Sequence, residues 1–144
     1  RQHVEKYIPG TIRKILHGDT VLIHSYPNRK QAGSRFYLHA RTASDALLFL
    51  LDHTSTGLRD KYNIVGEREI DNLALALAIA DIVGKTLSFE RVDFHSSRPG
   101  HDLRYSLSGE KLRSMGWKPP TTFEDSLEKT VKWYLDNPRW LEGT

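Results

Sequence analysis

Arg98-Pro99-Gly100-His101-Asp102 is the segment with the most distinctive chemistry. Proline beside glycine forces a turn, and the turn brings Arg98 and His101 to one side. A guanidinium grips a phosphate with two parallel N–H donors, and an imidazole donates to a further oxygen, so the pair suits a diphosphate. The same five residues also fit an ordinary exposed turn. Asn72 opens an apolar stretch of helical character, where it either caps the helix or joins free N–H groups in meeting an anion. Arg35 begins a strand-like stretch beside a polar loop, as a further cation for that anion or as a solvated side chain. His24 and Tyr26 end another strand-like stretch, suited to stacking on a flat base or to lining a sheet edge.

Other chemistries find less support. The chain has no cysteine, which removes disulfides, thiolate metal sites and cysteine nucleophiles. Its seven histidines form neither a His-Glu-x-x-His nor a His-x-His arrangement, so no metal site is expected. No Gly-x-Ser-x-Gly elbow is present, and Asp45 and Asp52 are expected on the wet side of their helix. A surplus of +3 from 21 basic and 18 acidic residues suits a small anionic ligand and is too small to argue for nucleic acid. Only that surplus and a pI near 9.2 would favour a weak nucleic-acid binder. No apolar run reaches the ~20 residues of a membrane span, because the longest, Leu73 to Val83, is broken by Asp81. The chain opens on Arg1 without a signal-like segment, and something upstream is expected to have been removed.

The elements that must position these residues follow from periodicity. With 144 residues and 38% apolar content the chain suits one compact domain, 1–144, or part of one. Glu5 to His17 reads as a helix stopped by Gly18, with Ile8, Ile12, Ile15 and Leu16 on one face. Thr20 to Ser25 and Arg35 to His39 read as strands around the polar loop Tyr26 to Ser34. Thr42, as N-cap, begins a helix to His53 whose buried face is Ala43, Ala46, Leu47 and Leu50. Lys61 to Val65 is strand-like. Asp71 or Asn72 caps a helix to Val83, with Gly84 beyond its end. A strand over Leu87 to Val92 and a short helix over Gly109 to Met115 follow. The last helix starts at Thr121 or Thr122, buries Leu127, Val131 and Leu135, and ends before Pro138. Strands interleaved with helices predict a small mixed α/β lobe, and no strand, glycine-rich turn and helix unit for a complete dinucleotide-binding domain is present.

In order along the chain, His3-Val4-Glu5-Lys6-Tyr7-Ile8-Pro9, Arg35-Phe36-Tyr37-Leu38-His39, Tyr62-Asn63-Ile64-Val65-Gly66 with Asn72-Leu73, Arg98-Pro99-Gly100-His101-Asp102-Leu103-Arg104-Tyr105 and Gly116-Trp117-Lys118-Pro119 with the final helix form five blocks. Together they resemble the C-terminal half of extended short-chain dehydrogenase/reductases acting on sugar nucleotides, above all the 4,6-dehydratase group. The resemblance implies a substrate-binding lobe without its Rossmann domain. It implies that Arg35 and Asn72 bind the diphosphate, that Arg98 and His101 reach the diphosphate and neighbouring sugar, and that Glu5 and Lys6 lie by the nucleotide pocket. The family's base-stacking Tyr-Gly-Asp-Gly turn is replaced by a longer stretch before Arg35, leaving His24 or Tyr26 to meet the base. The family's glycine-rich NAD fingerprint, Tyr-x-x-x-Lys pair and Asp-Glu acid/base pair belong to its N-terminal half and have no equivalent here.

On that resemblance NAD is a cofactor of the parent enzyme, bound by the N-terminal half, with none expected in this chain. The partners implied are a nucleotide-diphosphate sugar and the Rossmann half, with room for a homodimer of the full-length enzyme. A cytoplasmic location is implied too, and the chain by itself is expected to be inactive. Two alternatives stand beside this reading: a stand-alone non-catalytic module that binds nucleotide sugars or assists assembly, and an epimerase or decarboxylase of the same family.

Overall fold

The computed structural model describes residues 2–53, 60–97 and 102–142. Helix α1 (Tyr7–His17) begins at Lys6 and turns Ile12 and Ile15 inward, with Pro9 in its first turn, where a missing N–H costs least. Strand β1 (Val21–Ser25) alternates buried and outward residues, so Val21, Ile23 and Ser25 face the core. The polar loop then folds back on itself, and a bridge between Ser25 and Ala32 closes it ahead of strand β2 (Ser34–Arg35). Helix α2 (Ala40–His53), strand β3 (Ile70–Asp71), helix α3 (Asn72–Val83), strand β4 (Phe89–Asp93), the short helix α4 (Phe94–Ser97) and strand β5 (Arg104–Tyr105) come next. Helices α5 (Glu110–Ser114) and α6 (Phe123–Asp136) and a 3-10 turn over Pro138–Trp140 complete the described chain.

Two sheets organise it. Strands β1 and β4 run parallel, with Ile23 beside Arg91 and Ser25 beside Asp93. Strand β2 lies between β3, antiparallel to it, and β5, parallel to it. The main core gathers Ile12, Ile23, Leu75, Ile79, Leu127, Val131 and Tyr134 from α1, β1, α3 and α6. Helix α3 is apolar nearly all round because it is packed against both α1 and α6. A second, smaller cluster joins Ala46 of α2 to Leu112 of α5 and to Trp117, with Tyr62 and Ile64 alongside.

Several expected boundaries shift, each for a physical reason. Lys61 to Val65 is extended but has no ladder partner among the described residues; Tyr62 and Ile64 instead pack on α2 and α5. Beyond Arg35 the ladders to β3 and β5 end, so the expected strand over Arg35 to His39 keeps only its first residue, and Gly66 packs its backbone against Tyr37 so closely that a Cβ there would lie 2.1 Å from the Tyr37 carbonyl oxygen. Thr42 is buried within α2 rather than capping it. Asp71, not Asn72, caps α3: its Oδ1 accepts from the amides of Leu73 and Ala74, both at 2.9 Å. Thr122 caps α6 by accepting from Asp125 N, while Phe123 N donates to Glu67 from outside the helix. Asp45 is half-buried and accepts from the Trp117 indole at 2.8 Å, instead of facing water.

Candidate functional site

The three-stranded sheet is short in backbone and rich in side-chain ties. Each strand is two residues long, so its few ladder bonds could not order it alone. Glu69, just before β3, fastens all three strands. It takes Arg104 in a two-pronged pair at 2.6 and 2.7 Å and also accepts from the Ser34 hydroxyl at 2.6 Å. The Arg104 and Ser34 donors hold the Glu69 carboxyl down to about 2. No sequence signal links Ser34, Glu69 and Arg104, which meet only through the pairing of strands distant in sequence.

This sheet sets Arg35 beside the exit of the segment 98–101. The Arg35 guanidinium donates to the carbonyls of Ser34 and Leu103 at 3.3 Å and of Asp102 at 3.4 Å, and lies over the Tyr105 ring, 4.5 Å from its centroid. These hydrogen bonds are long, and a guanidinium has five donors, so capacity for an anion is left. Arg98 and His101 themselves lie outside the described residues.

Asn72 is reached from the other side of β2. Its backbone N donates to Gly33 O at 2.8 Å, and Gly33 N donates to His24 O at 2.9 Å, so the backbones of residues 24, 33 and 72 run side by side. Gly33 is needed here, because a Cβ on it would sit 2.6 Å from the Leu103 carbonyl oxygen. The Asn72 side chain is buried, and its Oδ1 accepts from the Tyr37 hydroxyl at 2.8 Å. Its backbone carbonyl accepts from Tyr7 at 2.5 Å. With Oδ1 and the carbonyl taken, the amide NH2 is the group left to donate, which suits an anion acceptor. Burial pushes Tyr37 up to about 12, against the opposing pull of the Arg35 guanidinium. Burial likewise raises Tyr7, with Tyr37 adding to it, so both phenols stay protonated donors at neutral pH.

Sequence reasoning named Asn72 and missed the two tyrosines that orient it. The signal was present, since Tyr7 and Tyr37 sit inside the blocks that contain Lys6 and Arg35. Lys6 precedes Tyr7 at the N-cap of α1 and is exposed. Glu5, also exposed, lies 3.7 Å from His3 rather than pairing with Lys6. His24 is half-buried, its ring 5.0 Å from that of Phe94. Tyr26 is half-buried at the start of the loop turn, where its backbone N donates to Gln31 O. The structure thus joins Arg35, Asn72 and the backbone of His24 through β2 and the adjoining Gly33, and leaves Tyr26 at the loop turn. Tyr26 and Lys30 have the spacing of a Tyr-x-x-x-Lys pair, but they lie on a closed turn, without the helical stacking that aligns residues four apart. Among the described residues no group of three metal-ligating side chains is gathered.

Comparison with known proteins places this arrangement in a family. No family model matches the chain. It is 37% identical over 145 aligned residues to dTDP-glucose 4,6-dehydratase 1 of Escherichia coli, an alignment that takes in 96% of this chain and 38% of that protein. The mouse dTDP-D-glucose 4,6-dehydratase is 33% identical over 140 residues, covering 94% of this chain and 38% of the mouse protein. Among solved structures, the dTDP-glucose 4,6-dehydratase of Bacillus anthracis in complex with NAD superposes with a TM-score of 0.78 at 31% identity, over 96% of this chain and 42% of that one. A UDP-glucuronic acid 4-epimerase of Bacillus cereus, at 16% identity and a TM-score of 0.79, shares the fold. The chain therefore belongs to the extended short-chain dehydrogenase/reductases of the epimerase/dehydratase type. Within them it falls in the dTDP-glucose 4,6-dehydratase group, matching the C-terminal part of those proteins and spanning about 38% of the length of the relatives quoted.

Proposed function

We propose that residues 1–144 form the substrate-binding lobe of an NAD-dependent nucleotide-sugar 4,6-dehydratase, acting on a dTDP-glucose type of substrate. The observation that carries this reading is the sheet β3-β2-β5, which sets Arg35 beside the exit of the 98–101 segment and beside the start of α3 at Asn72. In this reading Arg35 and Arg98 share the charge of a diphosphate, and the Asn72 amide donates to one of its oxygens. His101 reaches the neighbouring sugar oxygen, and His24 or Tyr26 covers the base beside Lys6 and Glu5. The chain's own contribution is binding and orientation.

Hydride removal and return need the nicotinamide, and nothing among these residues fits it, since no glycine-rich phosphate turn between strand and helix is present. The redox group and the acid/base pair are assigned to an N-terminal Rossmann portion of the parent protein, to which the remaining length of the relatives corresponds. An exposed apolar face on α2 supports such a neighbour: Leu47, Leu48 and Leu51 are 54, 63 and 76% accessible.

The test is calorimetric titration of the full-length enzyme with dTDP-glucose. Arg35→Ala or Arg98→Ala is expected to weaken binding by roughly 1.5–3 kcal/mol, the scale of a charge-assisted hydrogen bond. Asn72→Ala is expected to weaken binding and stability together. Unaltered affinity in all three variants would overturn the site, and dehydration of dTDP-glucose by the 144-residue chain alone would overturn the division of labour.

A further inference from the structure

We propose that the cavity between the Tyr26 to Ser34 loop, β4 and α3 is a second binding site, for a small organic anion whose phosphate or carboxylate is attached to an apolar body. The cavity measures about 350 Å³. Lys30, Gln31 and Ser34 line one side, Arg91 another, and Leu73 and Leu77 of α3 form an apolar floor.

Arg91 supplies the main argument. It stands beside Ile23 in the parallel pair, so its side chain leaves β4 on the core face and runs toward α3. Its Nε is buried and makes no hydrogen bond, the single side-chain nitrogen or oxygen in that condition among the described residues. A buried donor without an acceptor costs stability, and Arg91 lines the cavity, where the rest of its guanidinium can meet a ligand oxygen. Neither Arg91 nor Lys30 has an ion-pair partner among the described residues.

The loop is built to hold Lys30 in place. Tyr26 N donates to Gln31 O, Arg29 N donates to Tyr26 O, and Lys30 N donates to the Asn28 side chain. Arg29 takes a left-handed conformation, φ 54°, to make that turn. Asp71 also lines the cavity, but its Oδ1 already accepts two α3 amides, so two cations face one partly engaged carboxylate. The site is separate from the one proposed for the diphosphate. Ser34 and Asp71, paired across β2 and β3, face this cavity, while Arg35, next along the strand, projects to the opposite face.

The 144-residue chain is titrated with phenyl phosphate, benzoate and inorganic phosphate, following the Arg91 Nε–H resonance and the amides of Leu73 and Leu77. Saturable shifts of these signals with phenyl phosphate or benzoate are expected, and the tighter of the two identifies the oxyanion. Inorganic phosphate is expected to bind about tenfold more weakly than phenyl phosphate, for want of the apolar contact. Arg91→Gln is expected to weaken binding at least about tenfold. Lys30→Gln, at an exposed position where the fold is insensitive, is expected to weaken it a few-fold with an unchanged thermal melt. No saturable shift with any probe, or unaltered affinity in Lys30→Gln and Arg91→Gln, overturns the site. Equal affinity for inorganic and phenyl phosphate overturns the apolar floor as part of it.

Discussion

Helices α2 and α3 are both apolar and of similar length, 14 and 12 residues, yet they meet different fates. Helix α3 is packed against α1 and α6 and buries Leu75, Ala76, Ile79 and Ala80. Helix α2 buries only Thr42 and Ala46 and holds its contact with α5 through Trp117, leaving Leu47, Leu48 and Leu51 in water. A hydrophobic stripe says that a surface is to be covered; it does not say by what. On one side of the molecule the chain covers its own apolar surface, and on the other it leaves that surface exposed.

The largest expected effect separates the two helices directly. Ile79→Ala leaves a cavity in the main core and should cost about 2–5 kcal/mol, whereas Leu51→Ala should cost less than ~0.5 kcal/mol in the 144-residue chain. Urea unfolding at constant slope measures both, and comparable losses would erase the contrast. Gly66→Ala comes next. Its Cβ would meet the Tyr37 carbonyl oxygen, fixed backbone that cannot swing away, for a loss of about 2–3 kcal/mol. Retention of full thermal stability would show that this close approach is not required.

A pH titration sharpens the comparison on the sheet side. The Glu69 carboxyl is held down to about 2, from an ordinary value of 4.5, by the Arg104 and Ser34 donors. A depressed carboxyl stabilises the fold above its unfolded value and loses that contribution as the pH falls, here between 4.5 and about 2. Glu69→Gln should lower stability at neutral pH and flatten the stability curve across that acid window. An unchanged slope would mean that the ion pair does not tie the strands together. The smallest effect on stability belongs to Leu48→Gln combined with Leu51→Gln, within ~0.5 kcal/mol. Sedimentation should show the exposed α2 face driving self-association of the unaltered chain and less of it in the variant, and equal behaviour of the two would mean that this face is not adhesive.

Much of this molecule was legible in its residues. Apolar spacing located α1, α3 and α6, and glycine stops and capping residues set their ends, because these depend on neighbours a few positions away. The five ordered blocks named the family that the comparisons then found. The candidate site was legible in part. Arg35 and Asn72 stood out by type and place, but the hydroxyls of Tyr7 and Tyr37 that orient Asn72 did not. Nor did the Glu69 clamp, in which Glu69 lies 35 residues from Ser34 and 35 from Arg104.

What the sequence alone determined, then, is every helix but the short α4, the charge available for an anion and the family. Tertiary structure decided that Lys61 to Val65 would pack rather than pair, that Asp45 would hold an indole, and that half of α2 would stay uncovered. The reason is physical. Periodicity and capping are local properties of a chain, while strand pairing, the partner of a buried donor and the occupant of an apolar face depend on what else folding brings within reach.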